Sequence, residues 1–298
     1  MLLMLVLACW PLARAALFGA RPQPNVTGED FGLTLVVTTF FGSEAEPRFH
    51  LAVKSLAEAA RWRIPTIVVD ASGDTIRERL RKTGAHVVQQ AHQGKKGAAL
   101  REGIELAIAL RRGAAGPQHV IGFFEPEKLG MVFWMRKAAA YLRSERLDIV
   151  IPSRADAQFA ATYPREQYHQ EVFANLLIDS LAGPRGFPHG LDWTFGPVLF
   201  DARLAPAWLD FAGPLWDAQV VPYVRAVLWR GAKIGAFHVP YTHPAQMKEE
   251  EEGKAKWARK RFEQLALWAN VLPPELTATS DPGPTVTRAG AMRGRGGG

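Results

Sequence analysis

Two acidic residues, Glu125 and Glu127, follow a short apolar run in the segment FFEPEK. Side chains two positions apart in an extended chain point the same way, and Pro126 keeps the residue before it extended. Two convergent carboxylates at the open edge of a sheet are a natural seat for Mg²⁺ or Mn²⁺, with phosphates as the remaining ligands. Such an ion would neutralise a phosphate group as it departs. The spacing alone favours a simpler alternative, a surface turn with two solvated acids.

A basic turn lies upstream in the segment HQGKKGAALREGI, where Lys95 and Lys96 stand between two glycines. The turn comes where the chain leaves a predicted strand and enters a predicted helix. The ammonium groups and the helix amides can therefore meet a diphosphate together. The spacing does not match the P-loop pattern. A solvated basic turn has the same composition, so the motif alone leaves both interpretations open.

A third polar position, Asp70, ends the apolar run TIVVD. A carboxylate at the end of a strand can accept hydrogen bonds from a ribose or a base edge. It can equally serve as a helix N-cap or as a turn residue before the SGD segment. Thr38 and Thr39 lie near the end of the preceding apolar run, which makes them further candidates at the same edge of the sheet.

The second half of the chain offers two more candidates. The loop GLDWTFGP presents Asp192 beside Trp193 and Phe195. Aromatic faces suit sugar rings, and a carboxylate can orient or deprotonate a hydroxyl group. Packing of Trp193 into the core is an equally good interpretation. Arg154 follows the segment IPS and could approach a phosphate or an acidic acceptor, although a surface arginine is the simpler interpretation.

The elements that must position these residues alternate between strand and helix. Apolar runs predict strands at LTLVVTTFF, TIVVD, AHVVQQ, HVIGFF, DIVIP, the end of GFPHGLDWTFGPVLF, and AKIGAFHV. Apolar residues at helical spacing lie between most of these runs. The alternation predicts an α/β fold with a mostly parallel twisted sheet and helices on both faces. Ligands of such sheets bind at the carboxyl ends of the strands, where the first candidates lie.

The chain divides into three predicted parts. Residues 1–30 form an apolar leader, residues 31–272 a single catalytic domain, and residues 273–298 a disordered basic tail in which apolar periodicity stops. The uninterrupted apolar run of the leader is short for a membrane span. A secretory signal or membrane anchor and a frayed extension on a cytoplasmic enzyme both fit it. The acidic segment MKEEEEGKAK is expected to be the solvated start of the last helix.

Composition restricts the partners only broadly. The 298-residue chain has a formal net charge of +7 and one cysteine, Cys9, which excludes an internal disulfide. Excess positive charge suits nucleotides, sugar phosphates, nucleic acids or anionic membranes. No nucleic-acid partner is expected, because the arginine–glycine tail contributes only three arginines.

The motifs IVVDASGD, QGKKGAALREGI and FFEPEK resemble, in order and approximate spacing, those of family 2-like nucleotide-sugar glycosyltransferases. The resemblance extends over Leu33 to Val271, and the second half resembles the retaining branch that makes glucosyl- or mannosyl-glycerate compounds. It implies the glycosyltransferase A fold and transfer of a sugar from a nucleoside diphosphate donor to a hydroxyl acceptor. It also implies Mn²⁺ or Mg²⁺ as cofactor. This chain departs from the family by having E-P-E in place of the D-x-D metal motif.

The residues and the resemblance together predict three sets of site residues. The donor-binding set is Thr38, Thr39, Asp70, Lys95, Lys96 and Arg154. The metal ligands are Glu125, Glu127 and His243, the last being a late histidine of that branch. The catalytic candidates on the acceptor side are Asp192 and Asp217, one of which should be a general base if the transfer inverts configuration. A helix N-cap is the alternative role for Asp217, and an exposed position is the alternative for His243.

Two rival functions stay open. A sugar-phosphate nucleotidyltransferase would use a similar sheet, but the segment TTFFGSEAEPR lacks the glycine- and lysine-rich loop expected after the first strand of such an enzyme. A non-catalytic scaffold would have kept the fold and lost metal binding, and the replacement of D-x-D by E-P-E would be a result of that loss.

Overall fold

The computed structural model describes residues 32–92, 94–111 and 119–281. The strands of its sheet form from short apolar runs that contain many β-branched residues. They are β1 (Leu33–Thr39), β2 (Thr66–Asp70), β3 (His86–Gln89), β4 (Val120–Phe123), β5 (Ile149–Arg154), β6 (Val198–Asp201) and β7 (Ile234–Val239). Each of them lies within or beside a run for which the sequence predicts a strand.

The strand order in the sheet is β3-β2-β1-β4-β6-β5-β7. Strand β6 is antiparallel to both of its neighbours, β4 and β5, whereas the other four pairings are parallel. The mostly parallel sheet predicted from the sequence is therefore confirmed. The direction of β6 was not foreseen, because an apolar run has the same pattern in either direction.

The described helices include three short ones, Asp156–Thr162, Ala205–Leu209 and Ala245–Glu251, that the sequence pattern did not reveal. The bounds are α1 (Pro47–Arg61), α2 (Asp74–Arg81), α3 (Lys96–Arg111), α4 (Met131–Ser144), α5 (Asp156–Thr162), α6 (Arg165–Ala182), α7 (Ala205–Leu209), α8 (Asp217–Arg230), α9 (Ala245–Glu251) and α10 (Ala255–Thr277).

The pleat of β1 divides the core between the two faces of the sheet. Val36 packs into the cluster formed with helices α3, α6, α8 and α10, whereas Leu35 and Val37 pack into the cluster formed with α1, α2 and α4. This alternation is what a central strand with two covered faces requires. Helices on both faces, as predicted, are confirmed.

The register gathers several polar strand ends at one edge of the sheet. Thr39 at the end of β1 pairs with Asp70 at the end of β2, and Asp70 pairs with Gln89 at the end of β3. Strand β4 ends at Phe123, so Glu125 leaves the sheet at the same edge. The carboxyl edge is thus where a ligand would meet most of the predicted residues.

The last helix is longer than predicted, so disorder does not begin at residue 273. Helix α10 continues through two prolines to Thr277. Leu276 is buried, and Glu275 pairs with Arg225 of α8 at 2.6 Å between Oε1 and Nη2. These contacts hold the final turns of α10 against the domain. The sequence did not predict these turns, because they contain two prolines and lack apolar periodicity.

The predicted leader, residues 1–30, and residues 282–298 of the predicted tail lie outside the described residues. The membrane association and the secretory signal considered for the leader therefore stay predictions, as does the division into one domain with two extensions. Among the helices of the described ranges, none has the length and apolar character needed to cross a bilayer.

Candidate functional site

A pocket opens at the carboxyl edge of the sheet, where the ends of β4 and β5 face helices α8, α9 and α10. Part of the predicted site set lines this pocket: Lys96, Glu125, Glu127, Arg154, Asp192 and His243. The other predicted residues are not among its lining: Thr38, Thr39, Asp70, Lys95 and Asp217. The pocket therefore brings together Lys96 of the predicted diphosphate pair and the three predicted metal residues, but not Lys95 or the predicted nucleoside residues.

Glu125 lies between two lysines. Lys96 donates a hydrogen bond to Glu125 Oε1 over 2.8 Å, and the ammonium group of Lys128 lies 3.1 Å from Oε2. The side-chain amide of Gln219 donates to Oε1 over 3.3 Å. Burial alone would raise the pKa of Glu125, but attraction by Lys128 and Lys96 outweighs burial and holds the pKa below its ordinary value. The carboxylate is therefore ionised and already neutralised by the chain itself.

The loop that precedes β6 approaches Glu125 closely. Gly196 has a φ of 100°, and a Cβ atom at this position would lie 2.7 Å from Glu125 Oε2 and 2.8 Å from Oε1. A side chain would meet both the positive φ and the carboxylate, so the position requires glycine. Both oxygens of Glu125 are consequently crowded as well as charge-paired.

Lys96 is held in place by the start of α3. The backbone N–H of Gly97 donates to the Pro214 carbonyl over 2.8 Å, and a Cβ atom on Gly97 would lie only 2.0 Å from the carbonyl oxygen of Gly213. Arg101 donates to the same Gly213 carbonyl over 2.9 Å. This close approach explains the second glycine of the basic turn and fixes the first turn of the helix. Lys95, in contrast, is exposed.

Glu127 belongs to a second charged cluster, in which Arg48 of α1 lies 3.5 Å from its carboxylate. Arg48 also pairs with Glu251, which in turn accepts a hydrogen bond from Arg261 over 3.0 Å. Glu251 is buried, and the segment MKEEEEGKAK forms α9 and the turn before α10. The expectation of a solvated acidic start of the last helix is thus wrong, because Glu251 faces inward to pair with these arginines.

Lys260 of α10 lines the pocket, and it forms no ion pair within 4 Å among the described residues, although Glu251 and Glu127 attract it from farther away. Its ammonium group lies 4.8 Å from the ring centre of Trp257 and 6.0 Å from that of Trp216. Burial, with repulsion by Arg48, lowers the pKa of Lys260 to about 8. At neutral pH it therefore stays mostly charged and offers a cation to an incoming anion.

Arg154 and Asp192, predicted for donor binding and for catalysis, bind each other. The guanidinium donates from Nε to Asp192 Oδ2 over 2.7 Å and from Nη2 to Oδ1 over 2.8 Å. It also donates to Glu171 over 2.6 Å, and Asn175 donates to Asp192 over 2.9 Å. Burial would raise the pKa of Asp192, but Arg154 outweighs it and lowers that pKa. Neither side chain is free to act as a phosphate ligand or a proton acceptor in this arrangement.

Asp70 is fully buried and organises the turn after β2. Its Oδ1 accepts hydrogen bonds from the hydroxyl groups of Thr39 over 2.6 Å and of Ser72 over 2.8 Å. Its Oδ2 accepts from the backbone N–H of Ser72 over 2.9 Å. The Ser72 hydroxyl also accepts from the Phe41 N–H. Asp70 thus has the role of a turn residue, which the sequence left open as the alternative to nucleoside binding. Thr38, next to Thr39 in β1, is half-buried.

Asp217 is the first residue of α8 and is not its N-cap, which is Trp216. Its Oδ1 accepts from the backbone N–H of Leu215 over 2.8 Å and of Ala218 over 3.0 Å. The carboxylate is buried and satisfies backbone donors at the start of the helix. This geometry ties Asp217 to the local fold.

His243 packs against the ring of Tyr163, with the ring centres 4.4 Å apart. Within the described part of the chain its buried Nε2 has no hydrogen-bond partner. Burial, reinforced by the positive charges of Lys128 and Arg48, lowers the pKa of His243 to about 3. The imidazole is therefore neutral, and it is not simply exposed.

The three residues predicted to bind a divalent metal are not gathered as ligands in this structure, although Glu125 Oε2 and His243 Nε2 are both buried without a hydrogen-bond partner among the described residues. Among the described residues, no three or more histidine, cysteine, aspartate or glutamate side chains lie together as a metal site would require. Glu125 and Glu127, the first two predicted ligands, are instead paired with Lys96, Lys128 and Arg48. The set of Glu125, Glu127 and His243 is thus not assembled as a ligand cluster in this structure.

Several pocket residues escaped the sequence analysis. Lys128 could have been identified from the sequence, because it lies three residues after Glu125 in the segment FFEPEK. Arg48, Gln219 and Lys260 had no such signal, since they come from α1, α8 and α10 and meet only in the folded chain.

Comparison with known proteins gives a likeness in structure only. No protein-family model matches the sequence, and no curated protein sequence matches it. Glucosyl-3-phosphoglycerate synthase from Mycobacterium tuberculosis, in complex with Mn²⁺, uridine diphosphate and phosphoglyceric acid, superimposes with a TM-score of 0.52 at 15% identity, covering 84% of each chain. Its complex with Mn²⁺, UDP-glucose and phosphoglyceric acid gives 0.52 at 15% identity, covering 85% of this chain and 86% of that one.

A further match is a mycobacterial protein, with a TM-score of 0.53 at 14% identity, covering 84% of this chain and 85% of the other. The identities are low, so the likeness concerns the path of the backbone. Together with the sheet order, these matches show that the chain has the glycosyltransferase A fold.

Proposed function

We propose that the chain is a nucleotide-sugar glycosyltransferase, which moves a sugar from a nucleoside diphosphate donor to a hydroxyl group of an acceptor. The observation that carries the proposal is the lysine pair around Glu125, at the carboxyl edge of an α/β sheet where ligands of such folds bind. The fold supports it, since the solved neighbours include complexes with UDP, UDP-glucose and phosphoglyceric acid.

The reaction needs positive charge more than it needs a base. The acceptor oxygen bonds to the anomeric carbon of the sugar, and the bond from that carbon to the diphosphate oxygen breaks with its electron pair on the phosphate. In the proposed reaction Lys96 and Lys128 neutralise the departing diphosphate, and Lys260, which also lines the pocket, supplies a further positive charge. No step is assigned to a metal ion, because Glu125 is already paired.

The stereochemical outcome follows from where the acceptor proton can go. Both predicted bases are engaged: Asp192 with Arg154 and Asn175, and Asp217 with backbone N–H groups. The proton of the acceptor hydroxyl therefore passes to an oxygen of the departing phosphate, on the face that the leaving group occupied. That route requires attack on the same face, so we propose transfer with retention of anomeric configuration.

A sugar-phosphate nucleotidyltransferase stays the weaker enzyme candidate, because the chain lacks a lysine-rich loop after β1. A non-catalytic scaffold would explain the altered E-P-E motif, but it gives no reason for Lys260 to line the pocket without an ion pair among the described residues.

The test is a donor screen that detects released nucleoside diphosphate, run with UDP- and GDP-sugars against hydroxy acids, including 3-phosphoglycerate, with EDTA or with Mn²⁺. We expect release of nucleoside diphosphate with one donor class and a product whose anomeric proton coupling matches that of the donor. Release of pyrophosphate from a nucleoside triphosphate would support the nucleotidyltransferase instead. If no donor is bound, hydrolysed or transferred, the proposed function is wrong.

A further inference from the structure

The pocket contains a specific alternative to a divalent cation. We infer that Lys96 and Lys128 take the place of the metal, so that the chain binds the diphosphate of its donor without a divalent ion. This inference rests on the proposed function, since it concerns the same pocket and the same diphosphate.

The first argument is the pairing of Glu125. Its two carboxylate oxygens are approached by different ammonium groups, Lys96 at 2.8 Å and Lys128 at 3.1 Å. The two lysines together carry the formal charge of one divalent cation. A metal ion that bonded either oxygen would sit beside an ammonium group and be repelled by it. Glu125 therefore acts as an anchor for two lysines.

The second argument is the space around the same carboxylate. Gln219 donates to Oε1, and the backbone of Gly196 lies so close that even a Cβ atom would come within 2.8 Å of both oxygens. Mg²⁺ requires near-octahedral coordination and usually keeps several waters. Glu125 Oε1 already accepts from Lys96 and Gln219. Oε2 has no hydrogen-bond donor among the described residues, but it lies in ion-pair contact with Lys128 and close to the Gly196 backbone, which leaves little room for that shell.

The third argument concerns the second predicted ligand. Glu127 lies 3.5 Å from Arg48. Among the described residues, it does not form a cluster of three metal ligands with Glu125 and His243. Lys96 and Lys128 are partly exposed at the pocket, with 23% and 19% of their side-chain surface accessible. Their ammonium groups can thus turn part of their hydrogen-bonding capacity towards phosphate oxygens while Glu125 keeps them in place.

The experiment measures binding of UDP and of GDP to the full chain by titration calorimetry, with EDTA and then with Mn²⁺ or Mg²⁺. We expect one nucleotide to bind with the same affinity in EDTA as with either ion. Titration of Mn²⁺ alone, followed by electron paramagnetic resonance, should show no stoichiometric binding, with or without the nucleotide.

Variants localise the effect. Lys128→Met should weaken diphosphate binding about 10- to 100-fold in EDTA, the value of a charged hydrogen bond, and Lys96→Met should act likewise. Binding of the corresponding nucleoside, which has no phosphate, should change far less. Lys82→Met is the matched control, since Lys82 is exposed and does not line the pocket. If Lys128→Met does not fold, the double variant Lys128→Met with Glu125→Gln removes both charges and should show the same loss.

The outcomes separate this inference from the proposed function. Nucleotide binding that disappears in EDTA and returns with Mn²⁺ would overturn the lysine-for-metal inference and leave the glycosyltransferase proposal standing. Unchanged binding by both lysine variants would also overturn the inference. Absence of any binding of UDP or GDP, with or without metal, would overturn both.

Discussion

Replacing Arg154 with methionine tests whether the pocket is built around a buried charge network. Arg154 is 1% exposed in its side chain, and it donates to Asp192 and Glu171, which are themselves 7% and 8% exposed. Methionine keeps much of the side-chain volume and removes the charge. The buried carboxylates of Asp192 and Glu171 would then lack the cation that both of them pair with.

The magnitude follows from the burial of the network. Removing one partner of a buried ion pair destabilises a protein by about 3–5 kcal/mol, since the charge left behind stays desolvated. For a domain of this size, each kcal/mol lowers the melting temperature by roughly 2–4 °C, which gives a loss of roughly 6–20 °C. Thermal unfolding followed by circular dichroism would measure the difference.

The pH dependence sharpens this prediction. In the wild type, Arg154 outweighs burial and lowers the pKa of Asp192, so the pair stabilises the fold above the unfolded pKa of about 3.9 and is lost as pH falls below it. In Arg154→Met the guanidinium no longer opposes burial. The hydrogen bonds from Asn175 and from the backbone N–H of residue 154 still favour the carboxylate, but the pKa of Asp192 rises relative to the wild type. The loss in free energy of unfolding caused by Arg154→Met should therefore be largest near pH 7.5 and smaller near pH 5. It should change by at most roughly 1.4 kcal/mol per pH unit.

A matched control uses an exposed pair. Arg81 lies 3.4 Å from Glu78, with both side chains about half exposed, and such pairs contribute about 0–1 kcal/mol. Arg81→Met should lower the melting temperature by only a few degrees, roughly in proportion to that value. If Arg154→Met is no more damaging than Arg81→Met, the buried network does not stabilise the pocket and the reasoning fails.

Two further predictions concern a titrating group and a close contact. The pKa of His243 is lowered to about 3, against about 6.5 in the unfolded chain, so stability should fall as pH drops from about 6.5 towards 3. His243→Gln should flatten the melting temperature over that range, and a slope as steep as in the wild type would contradict the assignment. Gly97→Ala should lower the free energy of unfolding by about 1–3 kcal/mol in urea titrations, despite the better helix propensity of alanine, because its Cβ meets the Gly213 carbonyl oxygen. Gly73→Ala, whose Cβ would meet nothing within 4 Å, should lose no more than about 1 kcal/mol, because residue 73 is the N-cap of α2 and alanine is a poor cap, and an equal loss in both variants would refute the steric argument.

The fold was largely predictable, because it depends on local patterns. Buried β-branched runs such as TIVVD mark strands, and amphipathic segments between them mark crossover helices. Besides the three short helices, the pattern did not reveal the direction of β6 or the last turns of α10. Both depend on contacts between distant segments, such as the pair of Glu275 with Arg225, and periodicity carries no record of such contacts.

The site was predictable in location but less so in the roles of its residues. Lys96 and Glu125, both chosen for their position after a strand, line one pocket, since parallel strands share a carboxyl edge. The same rule placed Asp70 near that edge, but its carboxylate is buried and satisfied by Thr39 and Ser72. Strand ends tell where polar groups gather, and they do not tell which of them turn inward to hold a turn.

The E-P-E segment shows why residue type did not determine chemical role. A carboxylate at a strand end can pair with a metal ion from solvent or with a basic side chain of the same protein. Here Lys128 follows closely in sequence, but Lys96 begins α3 and Arg48 lies on α1, so the pairing forms only when the helices pack. With neutral neighbours the same two glutamates would suit a metal ion. Surrounded by basic side chains, Glu125 holds two lysines and Glu127 pairs with Arg48, so the deciding information lies in the helices and not in the motif.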